Sequence, residues 1–170
     1  FFTFRNASAF NQPLNSWNIS NVTDIRGIFN NATSFNQPLN SWNVSNITQM
    51  HTVFAGATSF NQPLDAWNTA SATDMRYMFN GATSFNQPLN SWNVSNVTLM
   101  RSMFQNASAF NRPLNNWDVS SVTDFRDMFF NATAFNQNLG TWIIEDGDLL
   151  TNMFRDSGLD EQNYADLLID

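Results

Sequence analysis

Phe35 to Ser59 reads F-N-Q-P-L-N-S-W-N-V-S-N-I-T-Q-M-H-T-V-F-A-G-A-T-S, and near copies precede and follow it at a fixed step of 25 residues. All six Trp keep that step: Trp17, Trp42, Trp67, Trp92, Trp117 and Trp142. Two Phe columns keep it as well, one running from Phe4 to Phe154 and the other from Phe10 to Phe135, as do a Leu column (Leu14 to Leu139) and an Asn column (Asn11 to Asn136). No insertion or deletion breaks the register between Phe4 and Phe154. An unbroken period of this length is the signature of a stacked-coil architecture, in which one unit cannot bury its apolar side alone and neighbours complete the core.

Within the unit the hydrophobic period changes. Trp42 and Val44 alternate with Ser41, Asn43 and Ser45, which predicts a short strand with one buried face. From Ile47 the apolar residues Ile47, Met50, Val53, Phe54 and Ala57 come at steps of three and four, which predicts a short helix or a few 3₁₀ turns. Ser45, Asn46 or Thr48 serves as its cap. Asn30 and Asn31, or Gly56 and Gly81 in other units, stand where such a helix ends in a left-handed residue. Pro38 fixes the return segment. The expected fold class is therefore an α/β solenoid: a right-handed stack of six coils, each a short parallel strand plus a short helical arc, spanning residues 1–156, with a C-terminal capping segment over 157–170. Strand stacking at about 4.8 Å gives a rod on the order of 30 Å long. The chain opens at Phe1 within a repeat, which predicts that it is part of something longer.

The invariant columns are read as structure. Trp and Phe form spines of the core, and the Asn column forms a ladder that bonds the backbone of its own and the next coil at a bend. Two units depart from the pattern. The third carries Asp65, Ala66, Thr69, Ala70, Ser71 and Ala72, which predicts a looser coil. The sixth has Asn138 in place of Pro and an acidic group, Glu145, Asp146 and Asp148, read as a solvated terminal loop in preference to a calcium site. Tyr164, Leu167 and Leu168 are spaced to cap the open end of the core.

Composition narrows function. The chain has seven Arg, no Lys, one His (His51) and no Cys, with a net charge of −7 and only 12% charged residues. There is no basic stripe for nucleic acid, no thiol chemistry and no run of 18 apolar residues to span a membrane. Without a nucleophile elbow, a phosphate loop or metal-ligand spacing, the reading is not an enzyme, with no cofactor and no metal.

Candidate binding residues must then lie in outward columns. One is the polar face of the expected strands, notably Ser41, Asn43, Ser45, Ser91, Asn93, Ser95, Asn116, Asp118 and Ser120, suited to hydroxyl-rich ligands or a second polar surface, or else simply solvated. The second is cationic: Arg26, His51, Arg76, Arg101 and Arg126. Asp24, Asp74 and Asp124 stand two residues before three of these and pair with them, or the column forks onto an anionic partner. Gly27, Thr52, Tyr77, Ser102 and Asp127 share one outward position and no chemistry, as a recognition surface requires. Asn6, Asn18, Asn21, Asn31, Asn43, Asn46, Asn93, Asn96, Asn106 and Asn131 lie in glycosylation sequons, which a eukaryotic secretory pathway would use and which the repeat also copies automatically. Recurring Thr, from Thr23 to Thr123 and from Thr33 to Thr133, matches either an ice lattice or ordinary capping and turn chemistry.

The stretch F-N-Q-P-L-N-S-W-N-V-S-N-V-T-L-M-R-S-M-F-Q-N-A, Phe85 to Ala107, resembles the repeat of BspA-type leucine-rich-repeat surface proteins. Ser157 to Asp170 resembles the segment that closes such arrays. The resemblance implies a leucine-rich-repeat-like fold, an extracellular or cell-surface location, and adhesion to matrix, host or glycan partners, either an extracellular protein or a polysaccharide. It implies no catalytic residues. The alternative expectation is a structural subunit of a surface filament, sheath or appendage whose partner is other copies of itself.

Overall fold

The computed structural model describes residues 3–145 and 147–167. Successive 25-residue coils stack in register, and the stacking interface repeats along the array. The expected division of each coil into strand and helical arc is overturned. Among the described residues the one helix is α1, Glu161–Leu167. Strand pairing is reduced to single parallel bridges, Asp24 to Gln49, Gln49 to Asp74, Asp74 to Leu99, Leu99 to Asp124 and Asp124 to Leu149. The molecule is thus not an α/β solenoid.

The ladder runs through the arc that the three-and-four spacing assigns to a helix. In the third coil the N–H groups of Met75, Tyr77, Phe79 and Gly81 donate to Leu99, Arg101, Met103 and Gln105 carbonyls of the fourth coil, at 3.0, 2.9, 2.9 and 2.7 Å. The intervening N–H groups of Met78, Asn80 and Ala82 close turns on Met75, Tyr77 and Phe79 carbonyls within the same coil. Bonds to the next coil and turn bonds alternate residue by residue. Tyr77 (φ 59°) and Gly81 (φ 67°) are left-handed, each the third residue of a turn, as a type II turn requires. The same two positions recur as Gly27 and Asn31, Thr52 and Gly56, Ser102 and Asn106, and Asp127 and Asn131. Two left-handed residues four apart forbid a helix or a 3₁₀ run. Tight turns place apolar side chains inward at steps of three and four, so the spacing alone did not distinguish them from a helix.

The Trp42–Ser45 stretch alternates in burial as read, with Trp42 and Val44 buried and Asn43 exposed, but its backbone joins no neighbouring strand. Asn43 Oδ1 accepts the Ser45 N–H at 3.1 Å, and Asn18, Asn68, Asn93 and Asp118 do the same two residues on. These are Asx turns, the local alternative that Asn and Asp offer to a ladder. Side chains supply the bonds between coils here: Asn46 Nδ2 donates to Ser20 O at 2.8 Å, Ser71 Oγ to Ser45 O at 2.6 Å and Asn96 Nδ2 to Ala70 O at 2.8 Å.

The core is a double aromatic stack. Where one 25-residue unit passes into the next, two Phe rings lie face to face, Phe79 and Phe85 at 4.1 Å and Phe54 and Phe60 at 4.0 Å. Between coils each ring stacks on its counterpart, Phe54 on Phe79 at 5.6 Å and Phe60 on Phe85 at 6.0 Å. Each buried Trp spends its one polar atom on the previous coil, as Trp92 Nε1 does on Leu64 O at 2.9 Å. In the Asn column the side-chain oxygen accepts the N–H of the next Asn: Asn61 from Asn86 at 2.9 Å and Asn86 from Asn111 at 3.1 Å. The third coil keeps all of these bonds. Its Thr69, buried in the Val column, donates to Asn93 O at 2.8 Å, so it is not looser in its connections.

At the C-terminal end Gly158 N–H joins Ala132 O at 3.2 Å and Tyr164 of α1 meets Phe154 edge-on at 6.3 Å. A groove of about 680 Å³ remains between the last coil and α1, lined by Trp142, Ile144, Leu150, Tyr164 and Leu167 among others. Asp146 and Leu168 lie outside the described residues, so the acidic group and the cap are seen only through their other members.

Candidate functional site

The columns that face outward divide into those closed by their own hydrogen bonds and those left open. Ser41, Asn43, Ser91, Asn93, Asn116, Asp118 and Ser120 are exposed, with Ser45 and Ser95 half-buried, but they do not form the face of a sheet. Several are used internally. Ser41 Oγ donates to Asn15 O at 2.6 Å, Ser91 Oγ to Asp65 O at 2.9 Å, Ser95 Oγ to Asn93 Oδ1 at 2.8 Å and Ser120 Oγ to Asp118 Oδ1 at 2.6 Å. The Asn116 N–H donates to Asn90 Oδ1 at 3.0 Å.

The sequons divide in the same way. Asn46 and Asn96 turn their amide nitrogens onto the preceding coil. Asn31 and Asn131 donate theirs to Asn6 and Asn106 side chains at 3.0 and 2.9 Å. Asn18, Asn43 and Asn93 are exposed and engage their oxygens in Asx turns, and Asn21 is exposed.

The cationic column lies on the ladder arc, two residues after the bridge position. Where that position is Asp, the pair closes within the coil. Asp24, Asp74 and Asp124 each accept Nη2 of Arg26, Arg76 and Arg126 at 2.7 Å. The carboxylates of Asp74 and Asp124 are almost buried, at 6% and 8% side-chain exposure, while Arg76 and Arg126 keep 39% and 35%. In each pair the Arg backbone N–H donates to the same carboxylate, at 2.9, 3.0 and 3.2 Å. Burial pushes the Asp24 carboxyl up, but its hydrogen bonds from Arg26 and the Arg26 charge outweigh this and hold it below the usual value. At Asp124 the Arg126 side-chain bond dominates in the same direction, opposed by burial.

The even coils break the pattern. Gln49 precedes His51, and burial holds the His51 imidazole below its ordinary pKa, opposed by Asp74 and reinforced by Arg26 and Arg76. Leu99 precedes Arg101, whose Nε is buried with no partner. A buried donor left unmade costs about 1–3 kcal/mol. Tyr77, half-buried in the third coil, lies on the ladder beside Arg101, donating its backbone N–H to Arg101 O at 2.9 Å. Sequence reading placed Arg101 and Tyr77 in separate columns and gave Leu99 no role. The available signal was the alternation Asp24, Gln49, Asp74, Leu99, Asp124 along the bridge position.

A pH dependence follows. Asp24 and Asp124 have folded pKa values below the unfolded value of about 3.9, so their contribution to stability is present above that pH and is lost as pH falls through the folded values. The His51 folded pKa is also depressed, so the neutral form is favoured by folding, and its contribution is lost as pH falls below about 6.5. Urea midpoints measured from pH 8 to pH 3 should fall in two steps, and His51→Asn should remove the first and spare the second.

A family model described as "Mycoplasma protein of unknown function, DUF285" matches the chain over residues 2–107 and again over 62–166. The chain belongs to the DUF285 family. The two overlapping matches register the internal repetition of this DUF285 protein, the same repetition that stacks its coils. No curated protein and no solved structure matches it. Among the described residues no helix is long and apolar enough to cross a membrane. In this DUF285 repeat the column at 99 varies from coil to coil, and Arg101, beside Leu99, is the one of the column's four Arg that no carboxylate of its own coil closes among the described residues.

Proposed function

We propose that this chain is a non-catalytic recognition module of a BspA-type extracellular surface protein, binding a matrix, host or glycan partner. The observation that carries the reading is the contrast between columns. Trp, Phe, Leu and Asn are committed to stacking, and much of the Ser and Asn surface is closed on itself. The bridge position and its cation, by contrast, change partners from coil to coil along one arc. Regularity in the core with variation along one partly exposed arc is how repeat proteins present a binding surface. The resemblance of Phe85 to Ala107 to surface-protein repeats supports the location and the adhesive role.

The test is binding of the 170-residue chain to an array of glycans and matrix proteins, beside electron microscopy of the same sample. The reading predicts selective binding by dispersed particles. Ordered filaments with no selective array binding would overturn it in favour of a structural subunit.

A further inference from the structure

Three of the four Arg in the cationic column are already occupied. Arg76 presents Nε and Nη2 to Asp74 at 3.0 and 2.7 Å, Arg126 does the same to Asp124 at 2.8 and 2.7 Å, and Arg26 places Nε on Asp24 at 2.8 Å. In the fourth coil Leu99 stands where those carboxylates stand. The Arg101 side chain has no hydrogen bond or ion pair among the described residues, though its charge acts on Asp124 of the next coil, and its Nε is buried. That leaves the two Nη groups of a half-buried residue as a planar fork without a partner in its own coil or the next, among the described residues.

We propose that Arg101 anchors a single carboxylate carried by an acidic sugar, taken end-on by its two Nη groups. The assignment rests on the recognition reading above and names its ligand class. A planar guanidinium matches a carboxylate in two parallel hydrogen bonds, which a rigid fork makes at low cost in order. The ligand is a single carboxylate and not a polyanion for two reasons. The flanking Arg76 and Arg126 are already neutralised by Asp74 and Asp124. The nearest other basic residue of the column without a carboxylate in its own coil, His51, is kept toward its neutral form by burial and is two coils away, about 10 Å, on a chain whose net charge is −7. A sugar is favoured over an acidic peptide because Tyr77, whose backbone N–H donates to Arg101 O at 2.9 Å, brings a half-buried aromatic residue with a phenol next to Arg101 on the ladder.

The test is an NMR titration of the 170-residue chain with methyl β-glucuronide, its neutral counterpart methyl β-glucoside, and N-acetylglutamate amide. The glucuronide should shift the Arg101 side-chain signals and bind at least tenfold more tightly than the glucoside. Arg101→Gln should abolish that preference. Leu99→Asp, which places a carboxylate where three other coils already hold one, should abolish it too while leaving the remaining amide spectrum in place. Equal binding of glucuronide and glucoside, a preference that survives Arg101→Gln, or equal binding of N-acetylglutamate amide overturns the assignment. Array binding to glycans that Arg101→Gln leaves untouched overturns it while the recognition reading stands. No binding in either experiment overturns both.

Discussion

Phe79→Ala should destabilise the array by about 3–5 kcal/mol, the cost of deleting a fully buried aromatic ring from a core that cannot collapse around the gap. Phe79 is completely buried, stacked at 4.1 Å on Phe85, which opens the following unit, between Phe54 and Phe104 at 5.6 Å on either side, and tilted against Trp92 at 6.2 Å. The ring is a link in both directions of the stack, so its loss weakens two coil–coil interfaces together. In an array where each coil touches only its neighbours, that break falls between halves, and unfolding should separate into two transitions. Trp fluorescence in urea reports both halves, because Trp42 and Trp67 lie on one side of the lesion and Trp117 and Trp142 on the other. Phe154→Ala, at the half-buried end of the same column, should cost clearly less.

Asn61→Leu should cost about 1–3 kcal/mol although it adds apolar surface, because it removes an acceptor on which two donors depend. Asn61 Oδ1 receives the Asn86 N–H at 2.9 Å and Gln87 Nε2 at 3.0 Å. The Asn61 side-chain nitrogen makes no comparable bond, so Asn61→Asp keeps both acceptor contacts and should stay within about 1 kcal/mol of the parent at pH 7. The pair of variants separates an acceptor role from a general demand for Asn. Equal destabilisation by Leu and Asp, read from urea midpoints, would mean that the column is held by packing instead.

Much of the architecture was legible in the period alone. The Trp and Phe columns gave the stacked core, and the Asn column gave a ladder whose bond to the next coil is seen at Asn36, Asn61, Asn86, Asn111 and Asn136. Local structure departs from the pattern for two physical reasons. Alternation at Trp42–Ser45 fits a strand, yet the alternating polar residues are Asn and Ser, which prefer to bond their own backbone. Three-and-four spacing after Ile47 fits a short helix or a few 3₁₀ turns, yet the next coil's carbonyls compete for every second N–H and the chain must turn left-handed to reach them. Gly56 and Gly81 announced one left-handed position, whereas Thr52 and Tyr77 gave no sign of the other, since those residues seldom adopt it.

The candidate site was legible only in part. The Arg column and its Asp partners stood out by spacing, while the vacancy at Arg101 depends on a Leu, a residue type that sequence reading files with the core. Leu99 is half-buried on the ladder itself, and its importance is what it fails to accept.

Amide hydrogen exchange followed by NMR tests the central claim, that turns and a one-sided ladder close each coil. The N–H groups of Thr52, Phe54 and Gly56, and of Tyr77, Phe79 and Gly81, all bonded to the next coil, should exchange slowly. Those of Asn43, Val44, Asn93 and Val94, in the stretches that resemble strands, should exchange rapidly even though Val44 and Val94 are buried. Slow exchange at alternate residues through Trp42–Ser45 and Trp92–Ser95, with rapid exchange at Tyr77 and Gly81, would contradict the account.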